Sequence, residues 1–398
     1  MKILRLHVEG FRSLKDVSWE PDDLNVIIGP NATGKSNLLR LLELISVSAR
    51  GGLAKYIQKW GGMDPLVWDG VADRIQFKVK TSPIEEWRNI ERDSLTYELE
   101  LERVGKSGLF RIGHELLGNY YAVEVKHRLE PFKLLERQRL KGVVFDETEK
   151  RLMVPAESVV EDEALLSLAT GAFLYNRHIP SFRAQMAGWA VYHDLHVNAD
   201  APIRQAVVAR SEKCVEPDGQ NLISVLHTLY TGDREFKTDV NAAMKAAFGD
   251  DFDELVFPPA ADQRIQLRVR WKSLRREQSA SDLSDGTLRF LLVLAVLASP
   301  APPAVIAMDE PETGLHPSML SVVAEHAVDA SRRAQIIFTT HSPQFLDAFH
   351  DTKPTTTVTK WCGGETILTK LKGENLDYWL KEYSLGALFK SGELENMK

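Results

Sequence analysis

The sequence predicts an α/β protein with a mixed, largely parallel sheet and flanking helices. An apolar run from Leu24 to Ile28 is followed by a glycine-bearing loop and a leucine-rich segment, in the order strand, loop, helix. Two further short apolar runs, 304–308 and 335–339, alternate with helical segments later in the chain. Because strands that alternate with helices favour a parallel sheet, residues 1–50 and 255–398 are expected to share one.

The composition indicates a globular protein in a reducing compartment. At roughly 150 residues per domain, 398 residues allow two or three domains. The net charge of −7 excludes recruitment of nucleic acid by bulk charge, so such a contact would need a local basic patch. Cys214 and Cys362 make neither a metal-ligand cluster nor a disulfide framework, which predicts a cytoplasmic location.

Neither a leader nor a membrane span is expected. At the amino terminus Leu4, Leu6 and Val8 alternate with polar residues, which predicts a strand and not a cleavable apolar helix. The longest apolar run, 290–298, is too short to cross a bilayer, and prolines follow it. We therefore interpret that run as a buried helix and expect no membrane partner.

The patterns divide the chain into four segments. Residues 1–70 form the first part of the α/β core, 71–155 a strand-rich lobe, 156–254 a helical insertion and 255–398 the second part of the core. Within the lobe, Leu95–Leu101 and Tyr120–Val125 alternate as strands do. Within the insertion, helices are predicted at 161–172, 202–211, 222–230 and 236–248.

The last segment has its own signals. Apolar residues from Ile265 to Trp271 alternate with Gln266, Arg268, Arg270 and Lys272, which predicts a strand with one basic face. A helix is expected to begin near Ser284 and another at Pro317, because proline is tolerated at the first position of a helix. Gly363-Gly364 predicts a hairpin, which a short helix follows.

A phosphate-binding loop is the most specific motif. The residues Gly29-Pro-Asn-Ala-Thr-Gly-Lys-Ser36 match G-x-x-x-x-G-K-[ST] between a strand and a helix. Glycines let backbone N–H groups turn inward, and the helix start adds partial positive charge. Lys35 would contact the β- and γ-phosphates of ATP, and Ser36 would ligate Mg²⁺. The nucleotide-binding residues expected here are Gly29, Pro30, Asn31, Ala32, Thr33, Gly34, Lys35, Ser36 and Asn37.

A second motif ends the apolar strand that begins near Ala304. The strand delivers Asp309 and Glu310 to the carboxyl edge of the sheet, where ligands of open α/β sheets bind. Asp309 would hold the metal, and Glu310 would polarise the attacking water. The alternative is that these carboxylates only cap the following turn.

Further motifs resemble those of ABC-type ATPases, in particular the RecF/SMC/OLD-like branch. Leu283-Ser-Asp-Gly-Thr287 resembles the signature loop L-S-G-G-Q, from which Asp285 and Thr287 depart. The segment 309–317 is similar to the acidic motif and D-loop of that branch, Thr340-His-Ser342 to its switch-histidine loop and Phe11-Arg-Ser13 to its F-R-[SN]. The resemblance covers about half the chain and implies an ABC-type ATPase head with an inserted β-rich and helical lobe.

The resemblance also implies roles. Ser284 and Gly286 would bind the γ-phosphate of ATP held by a partner subunit, which implies a homodimer that sandwiches ATP. Glu310 resembles the general base and His341 the residue that senses the γ-phosphate. The alternative for Ser284 is an ordinary N-cap, which is compatible with the binding role, and the alternative for His341 is a buried histidine that caps a strand end. Arg12 either touches phosphates or is a surface arginine beside a turn.

Several features of that branch are missing or open. The Q-loop glutamine is not identified: Gln58 is the only glutamine between the phosphate loop and Gln76. The motif Asp218-Gly-Gln-Asn221 resembles predicted solitary ATPases of the branch. No heptad array for a long coiled coil is present, and too few residues follow His341 for a Toprim nuclease domain.

Two functions are consistent with these patterns. The first is an ATP-driven sensor or scaffold that controls a separate effector protein in a bacterial defence system. The alternative is a RecF-like ATPase that acts directly on DNA in repair. Arg268, Arg270 and Lys272, called here the basic stripe, would then face DNA; the alternative is a solvated strand face. A transporter-type ATPase fits less well, because the signature loop and D-loop resemble those of the non-transporter branch.

Overall fold

The computed structural model describes residues 1–83, 94–105, 108–120, 131–154, 159–168, 176, 178–349, 352–371 and 383–396. The chain forms two compact units. The first comprises Met1–Asp22, Ile28–Trp189 and Thr357–Lys370, and the second comprises Asp23–Ile27, Ala190–Thr356 and Leu371–Lys398. Within the described residues, every helix is too short or too polar to cross a bilayer.

The strands, in chain order, are β1 (Ile3–Phe11), β2 (Leu14–Trp19), β3 (Leu24–Ile28), β4 (Arg74–Thr81), β5 (Ser94–Val104), β6 (Leu109–Tyr120), β7 (Phe132–Gln138), β8 (Lys141–Asp146), β9 (Arg151–Met153), β10 (Ala190–Tyr192), β11 (Val207–Val208), β12 (Phe252–Val256), β13 (Pro259–Ala260), β14 (Arg264–Ile265), β15 (Arg268–Trp271), β16 (Gln278–Ser279), β17 (Val305–Asp309), β18 (Gln335–Thr339), β19 (Thr355–Cys362) and β20 (Glu365–Lys370).

The helices are α1 (Lys35–Arg50), α2 (Leu53–Lys59), α3 (Leu165–Leu168), α4 (His178–Ala187), α5 (Leu222–Gly232), α6 (Arg234–Phe248), α7 (Asp285–Leu297), α8 (Pro317–Ser331), α9 (Pro343–Asp347), α10 (Leu385–Lys390) and α11 (Glu393–Asn396). Short 3₁₀ turns lie at Trp68–Gly70, Pro202–Arg204 and Ala261–Gln263.

The first unit is built on an eight-stranded sheet in the order β2-β1-β4-β5-β6-β7-β8-β9. Its strands pair antiparallel, as Val8 does with Val17 of β2. The predicted amino-terminal strand is confirmed, and Leu6 and Val8 are buried. Leu4 departs from the predicted alternation and is exposed, because the pairing with β4 shifts register between Ile3 and Arg5. Helix α1 packs on α4, where the Ser46 hydroxyl donates to the Ala187 carbonyl (3.1 Å).

The second unit contains the parallel strands β10, β17, β18 and residues 24–27 of β3, in that order. Met308 of β17 pairs with Tyr192 on one side and with Phe338 of β18 on the other, and Phe338 pairs with Val26. Their apolar runs are buried on both faces, as parallel strands require. The prediction that the two ends of the chain share one parallel sheet is confirmed for these strands.

The predicted basic strand from 265 to 272 is wrong as a single element. Ile265 belongs to β14 and pairs with Val207 and Pro259, whereas β15 begins at Arg268 and pairs with β12 and β16. The alternation continues across the break because Ile265, Leu267 and Val269 are buried, whereas Gln266 and Arg268 between them are not. Periodicity alone therefore could not show that they belong to different sheets.

Other expectations divide in the same way. Helices α5 and α6 confirm those predicted at 222–230 and 236–248, α7 and α8 begin where predicted, and β19 and β20 form the hairpin. The helix predicted at 202–211 is wrong, because a 3₁₀ turn there leads into β11. In 161–172 only Leu165–Leu168 is helical among the described residues, while 169–172 and 121–125 lie outside them. The four-segment division stays a prediction.

Candidate functional site

The phosphate loop of the first unit is held in place by threonines of the β19–β20 hairpin. The Thr366 hydroxyl donates to the Thr33 carbonyl (2.8 Å), and the Thr359 hydroxyl donates to the Ile28 carbonyl (3.1 Å). Gly34 has a φ of 99°, and a Cβ there would lie 2.1 Å from the Thr366 hydroxyl oxygen. Only glycine fits this position, so the loop and the start of α1 depend on it.

Lys35 lies at the first position of α1 with its ammonium inside the loop. The residue is 5% exposed, and Nζ donates to the carbonyls of Gly29 (2.8 Å) and Pro30 (3.0 Å). Ser36 follows it in the first turn of α1. Because Gly34 has no side chain, it cannot cap the amino end of the helix. A buried cation beside an uncapped helix start is an arrangement that favours an anionic ligand.

The next residue, Asn37, ties the loop to the turn between β1 and β2. Its side-chain amide donates to Ser13 Oγ (2.7 Å), which also lies 2.7 Å from the Thr366 hydroxyl. Pro30, Asn31 and Ala32, at the tip of the loop, are exposed. The loop is therefore anchored at its helical end and open at its tip.

Arg12 lies in that same turn, with a φ of 49°. Its guanidinium carbon is 4.5 Å from the centroid of the Trp60 ring, and that of Arg40 is 4.3 Å from it. Burial, followed by the charge of Arg40, lowers the pKa of Arg12. Arg12 is thus a partly buried arginine stacked on an aromatic ring, and sequence analysis missed both of its neighbours.

The acidic motif lies at the carboxyl edge of the parallel strands in the second unit. Asp309 ends β17 opposite Thr339 of β18, and the Thr339 hydroxyl donates to its carboxylate. His193 follows β10 directly, and its Nδ1 lies 3.7 Å from Asp309 Oδ2. The sequence analysis missed His193, although the apolar triplet 190–192 just before it was a usable strand signal.

Glu310 and His341 form a pair beside Asp309. His341 Nδ1 lies 2.8 Å from Glu310 Oε1, and the Glu310 N–H donates to the Thr339 carbonyl (3.1 Å). Glu310 has a φ of 48°, a strained value for a residue with a side chain, and such strain concentrates at functional sites. The His341 side chain is 52% exposed, so it is not a buried histidine.

Glu312 is a second buried carboxyl group near that pair, and the sequence analysis assigned it no role. The Thr340 hydroxyl donates to its Oε1, and Thr340 Oγ1 accepts from the Ser342 N–H (2.9 Å). Burial raises the pKa of Glu312 to about 7, opposed by the Thr340 hydrogen bond. Glu312 therefore supports the loop that carries His341.

Ser284 caps α7, since its Oγ accepts from the Thr287 N–H (3.1 Å). The N-cap alternative thus describes the structure and is compatible with a role in binding. Gly286 packs against the segment after the acidic motif: a Cβ there would come within 2.6 Å of the Gly314 carbonyl oxygen. Asp285 pairs with Arg204, which the sequence analysis did not single out.

The remaining candidates are placed as follows. Gln58 is exposed on α2, and its position leaves the Q-loop glutamine unassigned.

Arg270 of the basic stripe pairs with Glu254 and with Glu277 (2.7 Å). Arg268 lies 3.8 Å from Glu277, so both arginines have acidic partners within the chain. Each unit gathers its own candidates, and the predicted joint action of Ser36 with Asp309 stays a prediction.

Comparison with known proteins identifies the family. A model described as "AAA domain, putative AbiEii toxin, Type IV TA system" matches residues 24–347. The chain is similar to a crystal structure of an SMC head bound to the C-winged helix domain of ScpA, with a TM-score of 0.60 and 13% identity over 95% of this chain and 100% of the other.

An SMC head domain with an extended coiled coil, bound to the C-terminal domain of ScpA derived from Pyrococcus furiosus, gives a TM-score of 0.52 and 12% identity over 96% and 99% of the two chains. No curated protein matches in sequence. The structural likenesses show the fold of an SMC head and confirm the predicted ABC-type fold and the RecF/SMC-like resemblance. Since the family match spans most of its 398 residues, the chain belongs to this family of AAA-domain proteins.

Proposed function

We propose that this chain binds and hydrolyses ATP and acts as a dimeric switch. The register of the parallel strands carries the proposal: Ile27 of β3 pairs with Thr339, and Thr339 pairs with Asp309. The phosphate loop begins two residues after Ile27 along the chain. Parallel strands that end in register place their following residues at one edge, where ligands of such sheets bind.

The donors of the two motifs fit a nucleotide with a divalent metal. Lys35, together with the N–H groups of the loop, would hold the β- and γ-phosphates. Mg²⁺ prefers oxygen ligands, which the hydroxyl of Ser36 and the carboxylate of Asp309 provide. When bound, the ion would neutralise phosphate charge as the γ-phosphoryl group is transferred. His193, whose Nδ1 lies 3.7 Å from Asp309 Oδ2, would hold that carboxylate in position for the ion.

Glu310 is the proposed general base. It would accept a proton from the water that attacks the γ-phosphorus, so that the new P–O bond forms as the bond to ADP breaks. His341, 2.8 Å from its carboxylate, would hold Glu310 in position and contact the γ-phosphate. Thr340 and Glu312 support the loop that carries His341.

The dimer we propose is two-fold symmetric. Ser284 and Gly286 of one chain would contact the γ-phosphate of ATP held by the partner, so each interface carries two equal sites. The start of α7 supplies the partial positive charge for this contact. The fold likeness to SMC heads and the signature-like motif support this arrangement.

Mixed dimers test the sandwich. Lys35→Ala and Ser284→Arg should each prevent stable nucleotide trapping alone. In a heterodimer of the two variants, one site inherits both lesions and the other inherits neither, so one nucleotide per verified heterodimer is expected. If both residues served one site within a chain, mixing would restore nothing, and that result would reject the sandwich.

The biological role we propose is a sensor or scaffold for a separate effector in bacterial defence. The family description, which refers to a toxin–antitoxin system, supports this setting. The ion pairs of Arg268 and Arg270 support it over direct DNA binding, because their charges are already compensated. Co-purification of the product of a neighbouring gene with Glu310→Gln, but not with Lys35→Ala, is the expected result. Equal recovery with both variants would argue against an ATP-gated effector.

A further inference from the structure

Arg204 is a buried arginine outside the motifs that the proposed function uses. The residue is 9% exposed and ends the 3₁₀ turn Pro202–Arg204, which lies where the sequence predicted a helix. Its Nη1 donates to the carbonyls of Leu283 (2.7 Å) and Ala280 (3.1 Å), and its Nη2 pairs with Asp285. On its other side, Nε donates to the Val197 carbonyl (2.7 Å). One guanidinium therefore holds the residue before Ser284 and the residue after it.

The pairing explains a departure from the signature motif. Asp285 stands where the ABC signature motif L-S-G-G-Q has its first glycine, and its carboxylate contacts Arg204. Hydrogen bonds between charged groups are shorter and stronger than neutral ones. The Asp285 side chain is 66% exposed, so Arg204 holds its carboxylate oxygen Oδ1 while most of the side chain faces solvent. The pair thus supplies an anchor that a glycine could not.

The turn that carries Arg204 is itself fixed by the motif Asp218-Gly-Gln-Asn221. Gln220 Oε1 accepts from the Ile203 N–H (3.1 Å), and its Nε2 donates to the His196 carbonyl (3.0 Å). These contacts hold residues 196–204, a segment that starts three residues after His193 at the end of β10. Gln220 of this motif therefore helps to position Arg204 through the backbone of the turn. This gives a structural role to a motif for which the sequence analysis proposed no function.

We infer that Arg204 is a positioning residue that, through Asp285 and the Leu283 carbonyl, sets Ser284 for contact with the ATP held by the partner subunit. The inference rests on the proposed function and adds to it a residue that acts in trans. Loss of the pair changes the signature loop of one chain and the nucleotide site of the other. A merely structural arginine would instead weaken its own chain.

Asp285→Asn is the test variant, because the exposed carboxylate can be neutralised while the carbonyl contacts of Arg204 persist. In a Glu310→Gln background that retains ATP, its homodimer should release trapped ATP about tenfold faster, the loss expected for one charge-assisted hydrogen bond. Asp282→Asn is the matched control: Asp282 is exposed in the same loop but accepts from Ser279 (2.9 Å). It should release ATP at the parental rate.

The trans role is tested in a heterodimer of Asp285→Asn with Lys35→Ala. One site then has an intact phosphate loop and an intact signature loop, so one slowly released nucleotide per verified heterodimer is expected. Fast release from that heterodimer would show that the lesion acts within its own chain and would overturn the inference. An unchanged rate in the Asp285→Asn homodimer would also overturn it.

A second variant separates the pair from a local effect of Asp285 on the start of α7. Arg204→Lys keeps the charge but not the forked geometry, so it should speed release at least as much as Asp285→Asn, because it also weakens the contacts with the Leu283 and Ala280 carbonyls. The double variant should be no worse than Arg204→Lys alone, because both substitutions break the same pair with Asp285. Additive effects would contradict the pairing.

The proposed function fails separately. If the heterodimer of Lys35→Ala with Ser284→Arg holds no nucleotide, the sandwich itself is wrong. If that heterodimer holds one nucleotide and the Asp285→Asn heterodimer does not, only the role of Arg204 is rejected.

Discussion

Glu312→Gln should make the stability of the protein less sensitive to pH. Burial raises the pKa of this carboxyl group from 4.5 to about 7, so the folded state retains a proton that the unfolded chain releases. The charge of Glu310 also raises this pKa, while His341 and the Thr340 hydrogen bond lower it. Because this pKa is raised in the folded state, the contribution of Glu312 to stability is fully present below about pH 4.5 and is lost as the pH rises to about 7.

The size follows from linkage. With a pKa of 4.5 in the unfolded chain and about 7 in the folded state, Glu312 lowers the free energy of unfolding of the wild type by roughly 1 kcal/mol at pH 5 and roughly 3 kcal/mol at pH 8. Glutamine cannot ionise, and its carbonyl oxygen can still accept from Thr340. The stability of the variant relative to wild type should therefore rise by about 2 kcal/mol over this interval.

Unfolding in urea at several pH values measures this difference. Glu325→Gln is the control, because Glu325 is an exposed carboxylate on α8. Its difference from wild type should stay flat across the same pH values. A constant difference for Glu312→Gln would refute the reasoning, since it would show that Glu312 ionises alike in both states. Infrared spectra should show a protonated carboxyl group near neutral pH that Glu312→Gln removes.

Three further outcomes are expected. Lys35→Ala should abolish tight ATP binding, measured by calorimetry, because the fixed charge opposite the phosphates is lost; near wild-type affinity would contradict the assignment. Glu310→Gln should bind ATP, turn it over very slowly and accumulate a dimer. Asp309→Ala should instead regain part of its ATP hydrolysis at high Mg²⁺. Equal rescue of both variants by Mg²⁺ would contradict the separate roles proposed for these two carboxylates. Reversal of the basic stripe to glutamate should leave ATPase activity unchanged, and a weaker, less salt-dependent DNA affinity would instead favour the DNA-acting alternative.

The sequence determined the parts of the fold that local chemistry specifies. The apolar run of β3 before Gly29, the run of β17 before Asp309 and the proline at the start of α8 each identify an element and its end without help from distant residues. The phosphate loop was predicted for the same reason: a glycine-bearing anion loop needs its residues in order along the chain. Ser284 was placed at a helix start because capping is also local.

Tertiary structure decided what depends on residues that are distant along the chain. His193 lies beside Asp309 only because β10 pairs with β17, and no spacing in the sequence indicates that pairing. Arg204 contacts Asp285 across 81 residues. Their partnership explains why a motif position that is usually glycine carries a charge here.

Burial and pairing set the remaining properties. The pKa of Glu312 follows from desolvation, which the letters of the acidic motif do not reveal. The basic stripe looked like one charged face, but its arginines meet glutamates brought in by neighbouring segments. The motifs along the chain predict which residues would form a nucleotide site, because each motif is read from neighbouring residues. Which side chains pack together depends on strand pairing and burial, because these arise from contacts between segments that lie far apart along the chain.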